Sequence, residues 1–452
     1  MLVITVGYWR SGVPTPVSWH PTAFHFGTVL RGVQIPLSPS GVFSASLCAV
    51  NNVFQNKRVL VGVTGGIAAY KSAELVRLLV KAGAQVKVVM TPSATQFITP
   101  LTLETLSGNS VPTQIFDLRD DSSIEHTDLG KDIDVAVIAP TSADFLGRLA
   151  NGLADQLLLC TLMASQMPVL LCPSMNTHMW NNPLVQRNRT ILKAIERYHW
   201  MEPAEGELAC KVIGKGRMPE PAQIMRHLAR ILMPNDLQGQ IVVVTAGPTR
   251  EWIDPVRYLS NPSTGKMGMA VAEAAWQRGA TVKLISGPTS LELPSEFENI
   301  AIESTQDLLN AVTQALKGAN VLVMAAAPAD YSPVQKQAHK IKKSEASAQL
   351  ELARTPDVLG HIAPTANGTL LVGFAAETGN LEQLGSQKAQ NKGVHLLFAN
   401  PVGDQAHGSG FAGNTNSGLL MDGDGKVIQE IPILSKLEVA HQILNEVARR
   451  LS

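Results

Sequence analysis

The chain has 452 residues, 45% of them hydrophobic and 16% charged, with 37 basic residues balancing 37 acidic ones. That length exceeds the size at which a single core stops growing, so two domains are expected. The balanced charge excludes a strong electrostatic footprint for nucleic acid or an anionic membrane, and apolar runs such as VLVMAAA at 321–327 fall far short of the ~20 residues that span a bilayer.

Residues 1–56 contain no Asp or Glu, are rich in Pro, Ser and Gly, and show no sustained periodicity, so a poorly ordered extension is expected there. Only Arg10 and Arg31 lie in it, fewer basic residues than a transit peptide carries, and a start codon assigned too far upstream explains the segment equally well. From Lys57 the pattern becomes regular. The apolar run RVLVGVT, a glycine turn, the helix-like IAAYKSAELVRLLVKAGA and the strand-like QVKVVMT make a βαβ opening. Further strands are expected at DVAVIAP and PVLLCPSM, and a break in the pattern falls near MPNDLQGQ, residues 233–240.

Beyond that break the same grammar restarts with QIVVVTAG, the helix-like GKMGMAVAEAAWQRGA and the strand-like TVKLISG. Strands are then expected at ANVLVMAAA, LLVGFAAE and VHLLFAN. The fold class is therefore α/β, with two doubly wound Rossmann-like domains in tandem. Their expected limits are 57–233 and 237–452. Ligands in such sheets gather beyond the carboxyl ends of strands, which directs attention to Thr64, Pro140, Asn176, Thr245, Asp330 and Glu377. At the end of the chain, Leu437, Ala440, Leu444, Val447 and Leu451 recur every three or four residues, the pattern of a helix packed on its own sheet.

The cysteines are Cys48, Cys160, Cys172 and Cys210; they lack the paired spacing of zinc sites or a disulfide framework and fit a reducing cytoplasm. VTGGIAAYK, residues 63–71, places Gly65 and Gly66 between a strand and a helix, where backbone N–H groups can hold a phosphate. The spacing is not that of a P-loop, and a tight turn with no ligand fits this stretch as well. The odds change with APTSADFLGRLANGLADQLL from 139, PSMNTHMW from 173 and AEGELACKVIGKGRM from 204.

Together these segments, over about 57–230, resemble the homo-oligomeric flavin-containing cysteine decarboxylases, and among them phosphopantothenoylcysteine decarboxylase of coenzyme A biosynthesis. The most specific element is P-x-M-N-x-x-M-W, here Pro173, Met175, Asn176, Met179 and Trp180. The resemblance implies FMN against Gly65, Gly66, Ser93, Ser142 and Ser174, a flavodoxin-like fold, His126 in EHTDLG as an active-site histidine, and Cys210 on a lid. A cysteine carboxylate has no internal sink for the electron pair that carbon dioxide leaves behind, and a flavin provides one. His126 then serves as base toward the substrate thiol, Cys210 as proton donor to the enethiolate, and Asn176 as donor to the substrate carboxylate. Singly, a His, a Cys or an Asn is usually structural, and Met175, Met179 and Trp180 are open between ligand contact and packing. The lid departs from the family pattern C-G-D-x-G, since Lys211, Val212, Ile213 and Gly214 follow Cys210.

TAGPTREWIDPVRYLSNPSTGKMG, residues 245–268, resembles the phosphopantothenate-cysteine ligase domain, as do AAAPADY, KIKK, TPDVL, GFAAET and QKAQNK further on. That ligase activates 4'-phosphopantothenate with CTP and lets the cysteine amine displace CMP. By motif, CTP would be bounded by Met324, Ala325, Ala326 and Asp330 in one segment, by Lys340, and by Pro356, Asp357, Val358 and Leu359 in the next segment, with Phe374, Lys388 and Lys392 beyond. Asn261 would hold the acyl cytidylate and Lys340 the reacting centre. Lys388 and Lys392 share a helix face, as any solvated pair four apart does. Gly265 could bind a phosphate of nucleotide or of pantothenate. Pro328 and Pro401 depart from the family pattern without removing a residue given a role.

The combined expectation is a cytoplasmic bifunctional enzyme using FMN, CTP and Mg2+, its metal ligands unassigned, acting on 4'-phosphopantothenate and cysteine. Resemblance further implies decarboxylase trimers and ligase dimers, hence a larger homo-oligomer such as a dodecamer. A decarboxylase of peptide C-terminal cysteines would leave the second half unexplained, and a non-catalytic flavoprotein would leave His126 and Cys210 unexplained.

Overall fold

The computed structural model describes residues 53–115, 125–207, 213–342, 349–403 and 413–452, the side chains of 125–127 excepted. Residues 57–233 build a parallel sheet of β1 (Arg58–Val63), β2 (Gln85–Met90), β3 (Val135–Thr141), β4 (Val169–Pro173) and β5 (Tyr198–Trp200), in the order 2-1-3-4-5. That is the flavodoxin-like winding. Residues 59–63 of β1 and all of β3 and β4 are buried, because helices cover both faces of the sheet. The helices are α1 (Ala69–Lys81), α2 (Pro100–Ser107), α3 (Glu125–Gly130), α4 (Ala143–Ala150), α5 (Leu157–Met163), α6 (Thr177–Trp180), α7 (Pro183–Lys193) and α8 (Pro221–Leu232). A hairpin of β6 (Ala204–Glu207) and β7 (Ile213–Arg217) stands apart from the sheet. Phe54, expected within the loose extension, is fully buried in the core beneath β1.

The second sheet contains β8 (Ile241–Ala246), β9 (Thr281–Ser286), β10 (Glu298–Ala301), β11 (Val321–Met324), β12 (Leu370–Glu377), β13 (Leu396–Pro401), β14 (Thr415–Asp422) and β15 (Val427–Ser435). Their order is 10-9-8-11-12-13-14-15, and the first six are parallel. In chain sequence those six read 3-2-1-4-5-6, the dinucleotide-fold winding. The last two strands add antiparallel and were not expected. Their register shifts, and Pro432 on the outermost strand, blur the alternation that would have disclosed them. Around the sheet lie α9 (Lys266–Gln277), α10 (Thr305–Ala315), α11 (Val358–Ile362), α12 (Leu381–Lys392) and α13 (Lys436–Leu451). As expected, Leu437, Ala440, Leu444 and Val447 of α13 are buried in that sheet's core.

The two sheets meet through α8 and α9. Arg226 holds Glu273 with two nitrogens, at 3.0 and 2.7 Å, and reaches Glu296 at 3.4 Å while lying over the Trp276 ring. Arg230 covers the same indole and bonds the Trp276 carbonyl. Both partners of the Arg226–Glu273 pair are largely withdrawn from water, so loss of either would strand a buried charge.

Gly268, in the first turn of α9, sets how closely that helix lies on β8. A Cβ there would sit 2.6 Å from Ala246 Cβ and 2.6 Å from the Thr245 carbonyl oxygen. Gly268→Ala is therefore expected to lose about 1–3 kcal/mol of stability through forced separation of helix and strand, read by urea unfolding. Wild-type stability in that variant would show that the helix can simply shift. A second outcome concerns pH. The ring nitrogens of His441 on α13 have no hydrogen-bond partner among the described residues, and burial, then the Arg278 charge, lowers its pKa to about 4, with Asp236 and Glu438 opposing. The unfolded chain takes up this proton near pH 6.5 while the folded one resists it. Stability should accordingly fall between about pH 6.5 and 4, and His441→Leu should flatten that part of a pH–stability curve.

Candidate functional site

In the first sheet the strand order reverses between β1 and β3, and a cavity of about 870 Å³ opens beyond their carboxyl ends. This is where doubly wound sheets bind ligands, and the volume suits a small-molecule site. Gly65, Gly66, Ser93, Ser142, Ser174 and Asn176 all line it. Four separate turns, one after each of β1 to β4, thus supply these residues.

Local chemistry explains how each turn is held. A Cβ on Gly65 would lie 2.5 Å from Ser93 Cβ, so only glycine lets the turns after β1 and β2 touch; Gly66 has open space instead. The Ser142 hydroxyl accepts from the Phe145 backbone N–H and caps α4, while the Ser142 N–H donates to Thr64 Oγ1 at 2.9 Å. Thr64 Oγ1 in turn donates to the Pro140 carbonyl at 2.8 Å, tying the two turns at the reversal point together. Ser174 follows β4; its N–H donates to the Thr141 carbonyl and its hydroxyl to the Gly216 carbonyl on β7.

The signature PSMNTHMW divides by role. Asn176 caps α6, its Oδ1 accepting from the His178 N–H at 2.8 Å. Met175 and the half-exposed Met179 line the cavity. Trp180 is buried against Trp200, with Arg189 over both rings, and is packing. Pro140, expected to face a crevice, is buried instead and turns only its carbonyl to Thr64. His126 lies on α3, but its side chain is outside the described residues, as is all of Cys210. The buried Cys172 thiol is pushed well up by desolvation and is unsuited to acid–base work.

Sequence reasoning missed Lys71, Thr91, Gln156 and Arg217, which line the same cavity. The Lys71 ammonium meets Glu220 at 2.7 Å, and Arg217 approaches the same carboxylate at 3.8 Å, so one carboxylate holds both of these lining cations. Thr91 was legible only as a neighbour of Ser93, and Gln156 carried no signal.

In the second sheet the expected residues fall at strand ends on adjacent segments. Asn261 donates from Nδ2 to the Pro328 carbonyl at 2.8 Å and so fixes the loop after β11 that holds Ala325, Ala326 and the exposed Asp330. Met324 and Val358 are buried, Pro356 and Leu359 are half-buried, and Phe374 meets Phe398 edge-on at 5.5 Å. Lys388 and Lys392 lie on one face of α12, paired respectively with Glu377 at 3.6 Å and Asp357 at 2.5 Å. Burial opposes ionisation of Asp357, but Lys392 and the Gly360 N–H hold its carboxyl below the ordinary value. Lys340 is exposed; the segment beside it is anchored where the Ile341 N–H donates to buried Asp254 and the Ile341 carbonyl accepts from Arg257. Thr245, expected at a crevice, is fully buried, accepting from the Ala326 N–H. Gly265 adopts a left-handed conformation as the residue before α9. Among the described residues, no group of three or more His, Cys, Asp or Glu side chains is placed to hold a metal ion, and no helix is long and apolar enough to cross a membrane.

Residues 49–233 match the Flavoprotein family, and residues 237–451 match the DNA/pantothenate metabolism flavoprotein C-terminal domain. The chain is 44% identical over 401 residues to the coenzyme A biosynthesis bifunctional protein CoaBC of Bacillus subtilis, covering 88% of this chain and 98% of that one. It belongs to the CoaBC family. Identity to the Haemophilus influenzae member is 40% over 398 residues, covering 87% of this chain and 98% of that one. A crystal structure of the C-terminal domain of a CoaBC protein is 41% identical, covers 48% of this chain and 98% of that chain, and has a TM-score of 0.41. The protein is thus a bifunctional enzyme of coenzyme A biosynthesis, with a ligase and a decarboxylase function.

Asn176→Asp separates capping from ligand contact, because Asp caps a helix as well as Asn does while placing a charge in the cavity. Decarboxylation should fall at least ~100-fold with the melting temperature unchanged. Undiminished turnover would remove Asn176 from contact with a substrate carboxylate.

Proposed function

We propose that residues 57–233 use FMN to decarboxylate phosphopantothenoylcysteine to 4'-phosphopantetheine, and that residues 237–452 make phosphopantothenoylcysteine from 4'-phosphopantothenate, cysteine and CTP with Mg2+. The observation that carries the first half is the convergence of Gly65, Gly66, Ser93, Ser142, Ser174 and Asn176 on one cavity at the strand-order reversal. The residues present fit a flavin. Gly66 leaves open space, and two polar atoms of the lining, Thr91 Oγ1 and Gln156 Oε1, are enclosed without a partner among the described residues. Gly65, Gly66, Ser93, Ser142 and Ser174 would hold the FMN, which when bound supplies the electron sink that decarboxylation of a cysteine requires.

The protein's own groups do the rest. Asn176 donates to the substrate carboxylate and orients it without the strong ground-state stabilisation that a cation would give. His126 takes the thiol proton, and Cys210 supplies the proton that accompanies reduction of the enethiolate, for which the same cofactor would give back the two electrons it accepted. In the ligase half, Lys388 and Lys392 exchange Glu377 and Asp357 for nucleotide phosphates, Phe374 and the 324–326 and 356–359 segments bound the nucleotide, Asn261 holds the acyl cytidylate, and Lys340 stabilises charge at the reacting centre. Mg2+ enters with the triphosphate, whose oxygens supply ligands that a protein cage need not. The assignment carries with it a cytoplasmic homo-oligomer, with trimers through the decarboxylase half and dimers through the ligase half.

Mass spectrometry of products tests the division of labour. Wild-type protein given 4'-phosphopantothenate, cysteine, CTP and Mg2+ should yield 4'-phosphopantetheine. Asn176→Asp should accumulate phosphopantothenoylcysteine, and Lys340→Ala, at an exposed position, should yield neither product. Phosphopantetheine from the Lys340 variant at the wild-type rate would overturn that residue's role.

A further inference from the structure

Three buried threonines end the three neighbouring strands beside the cavity: Thr64 after β1, Thr91 after β2 and Thr141 in β3. Two of them are spent within the sheet. Thr64 Oγ1 donates to the Pro140 carbonyl and accepts from the Ser142 N–H; Thr141 Oγ1 donates to the Ile138 carbonyl at 2.6 Å and accepts from the Cys172 N–H at 3.0 Å. Thr91 Oγ1 has no partner among the described residues, although the residue is only 4% exposed and lines the cavity. Its backbone is fully engaged, the N–H to the Val63 carbonyl and the carbonyl to the Ala94 N–H, so the side chain has no local role. Gln156 repeats the case. It precedes α5, which packs against β2, yet its side chain makes no cap, and Oε1 is enclosed at the cavity without a partner among the described residues.

We propose that Thr91 and Gln156 are positioning residues that hydrogen-bond the polar edge of the bound flavin. The inference rests on the FMN reading of this cavity. An enclosed hydroxyl or carboxamide left unpaired costs stability, and a site whose lining keeps two of them is completed by a ligand with matching polar atoms. The isoalloxazine carbonyls and ring nitrogens accept from the Thr91 hydroxyl. Gln156 Oε1 can only accept, and an oxidised flavin offers it two kinds of donor, the ring imide N–H and the ribityl hydroxyls.

The test is flavin-free protein titrated with FMN, followed by quenching of flavin fluorescence, alongside thermal melts of the flavin-free form. Thr91→Val and Gln156→Leu should each weaken FMN binding about five- to tenfold, while the flavin-free melting temperature stays constant or rises because an unpaired polar group has been removed. A structural threonine would behave oppositely, losing flavin-free stability. Affinities within twofold of wild type in both variants, or a fall in flavin-free stability that tracks the lost affinity, overturn the proposal. Failure of the wild-type chain to bind FMN overturns the cofactor reading, and this inference with it. Repeating the Gln156→Leu titration with 3-methyl-FMN identifies the donor: a penalty that vanishes assigns the imide N–H, and one that persists assigns a ribityl hydroxyl.

Discussion

A parallel sheet covered by helices on both faces leaves polar chemistry one place to go, the carboxyl ends of its strands, and every candidate site in this molecule follows from that constraint. The strands themselves are spent on burial: Val59, Leu60, Val61 and Val63 have no exposed surface, and neither do Val135 to Ala139. The turns after them must satisfy their own backbone groups while facing a cavity. Thr64 and Thr141 meet that demand by bridging adjacent turns, which ties β1 to β3 and β3 to β4 at the reversal point. The cavity wall is therefore braced by the same residues that close the sheet.

The second sheet solves the same problem with different means. Its long signature contains two acids, Glu251 and Asp254, and both are buried and structural. Glu251 accepts from the backbone N–H and hydroxyl of Thr305, satisfying the first N–H of α10 and locking the turn to that helix's start, and Asp254 gathers the Val256, Arg257 and Ile341 N–H groups. Charge that could meet substrate is carried by lysines on α12 and by Lys340. The two halves are joined by a guanidinium–carboxylate contact over an indole at the α8–α9 contact, an arrangement that combines directionality with apolar burial.

Much was legible in the sequence because parallel strands must be apolar on both faces and helices must keep a 3.6-residue period. RVLVGVT, QIVVVTAG and the repeats of Leu437, Ala440, Leu444 and Val447 fall where expected, and the winding of both sheets agrees with the tandem reading. The final hairpin escaped because its register shifts and edge proline weaken the period-two signal. Thr245 and Pro140 were mistaken for crevice residues because their sequence position marks a strand end but not the direction in which the chain then turns. The Pro-, Ser- and Gly-rich segment was drawn too long, since a single Phe54 in polar surroundings gives no periodicity, yet its side chain is fully buried in the core.

By itself, the sequence determined the α/β class, the two tandem windings, the family, and the glycine, serine and asparagine positions from which the cavity is built. These are local properties, set by residue size, hydrogen-bonding capacity and spacing along one chain. Only the tertiary structure decided that Trp180 is packing while Met179 faces the cavity, that Lys388 and Lys392 meet different carboxylates, and that Thr91 and Gln156 enclose unpaired polar atoms while Thr64 does not. Whether a hydroxyl finds a partner depends on atoms from strands far away in sequence, and no periodicity along the chain records which strands become neighbours.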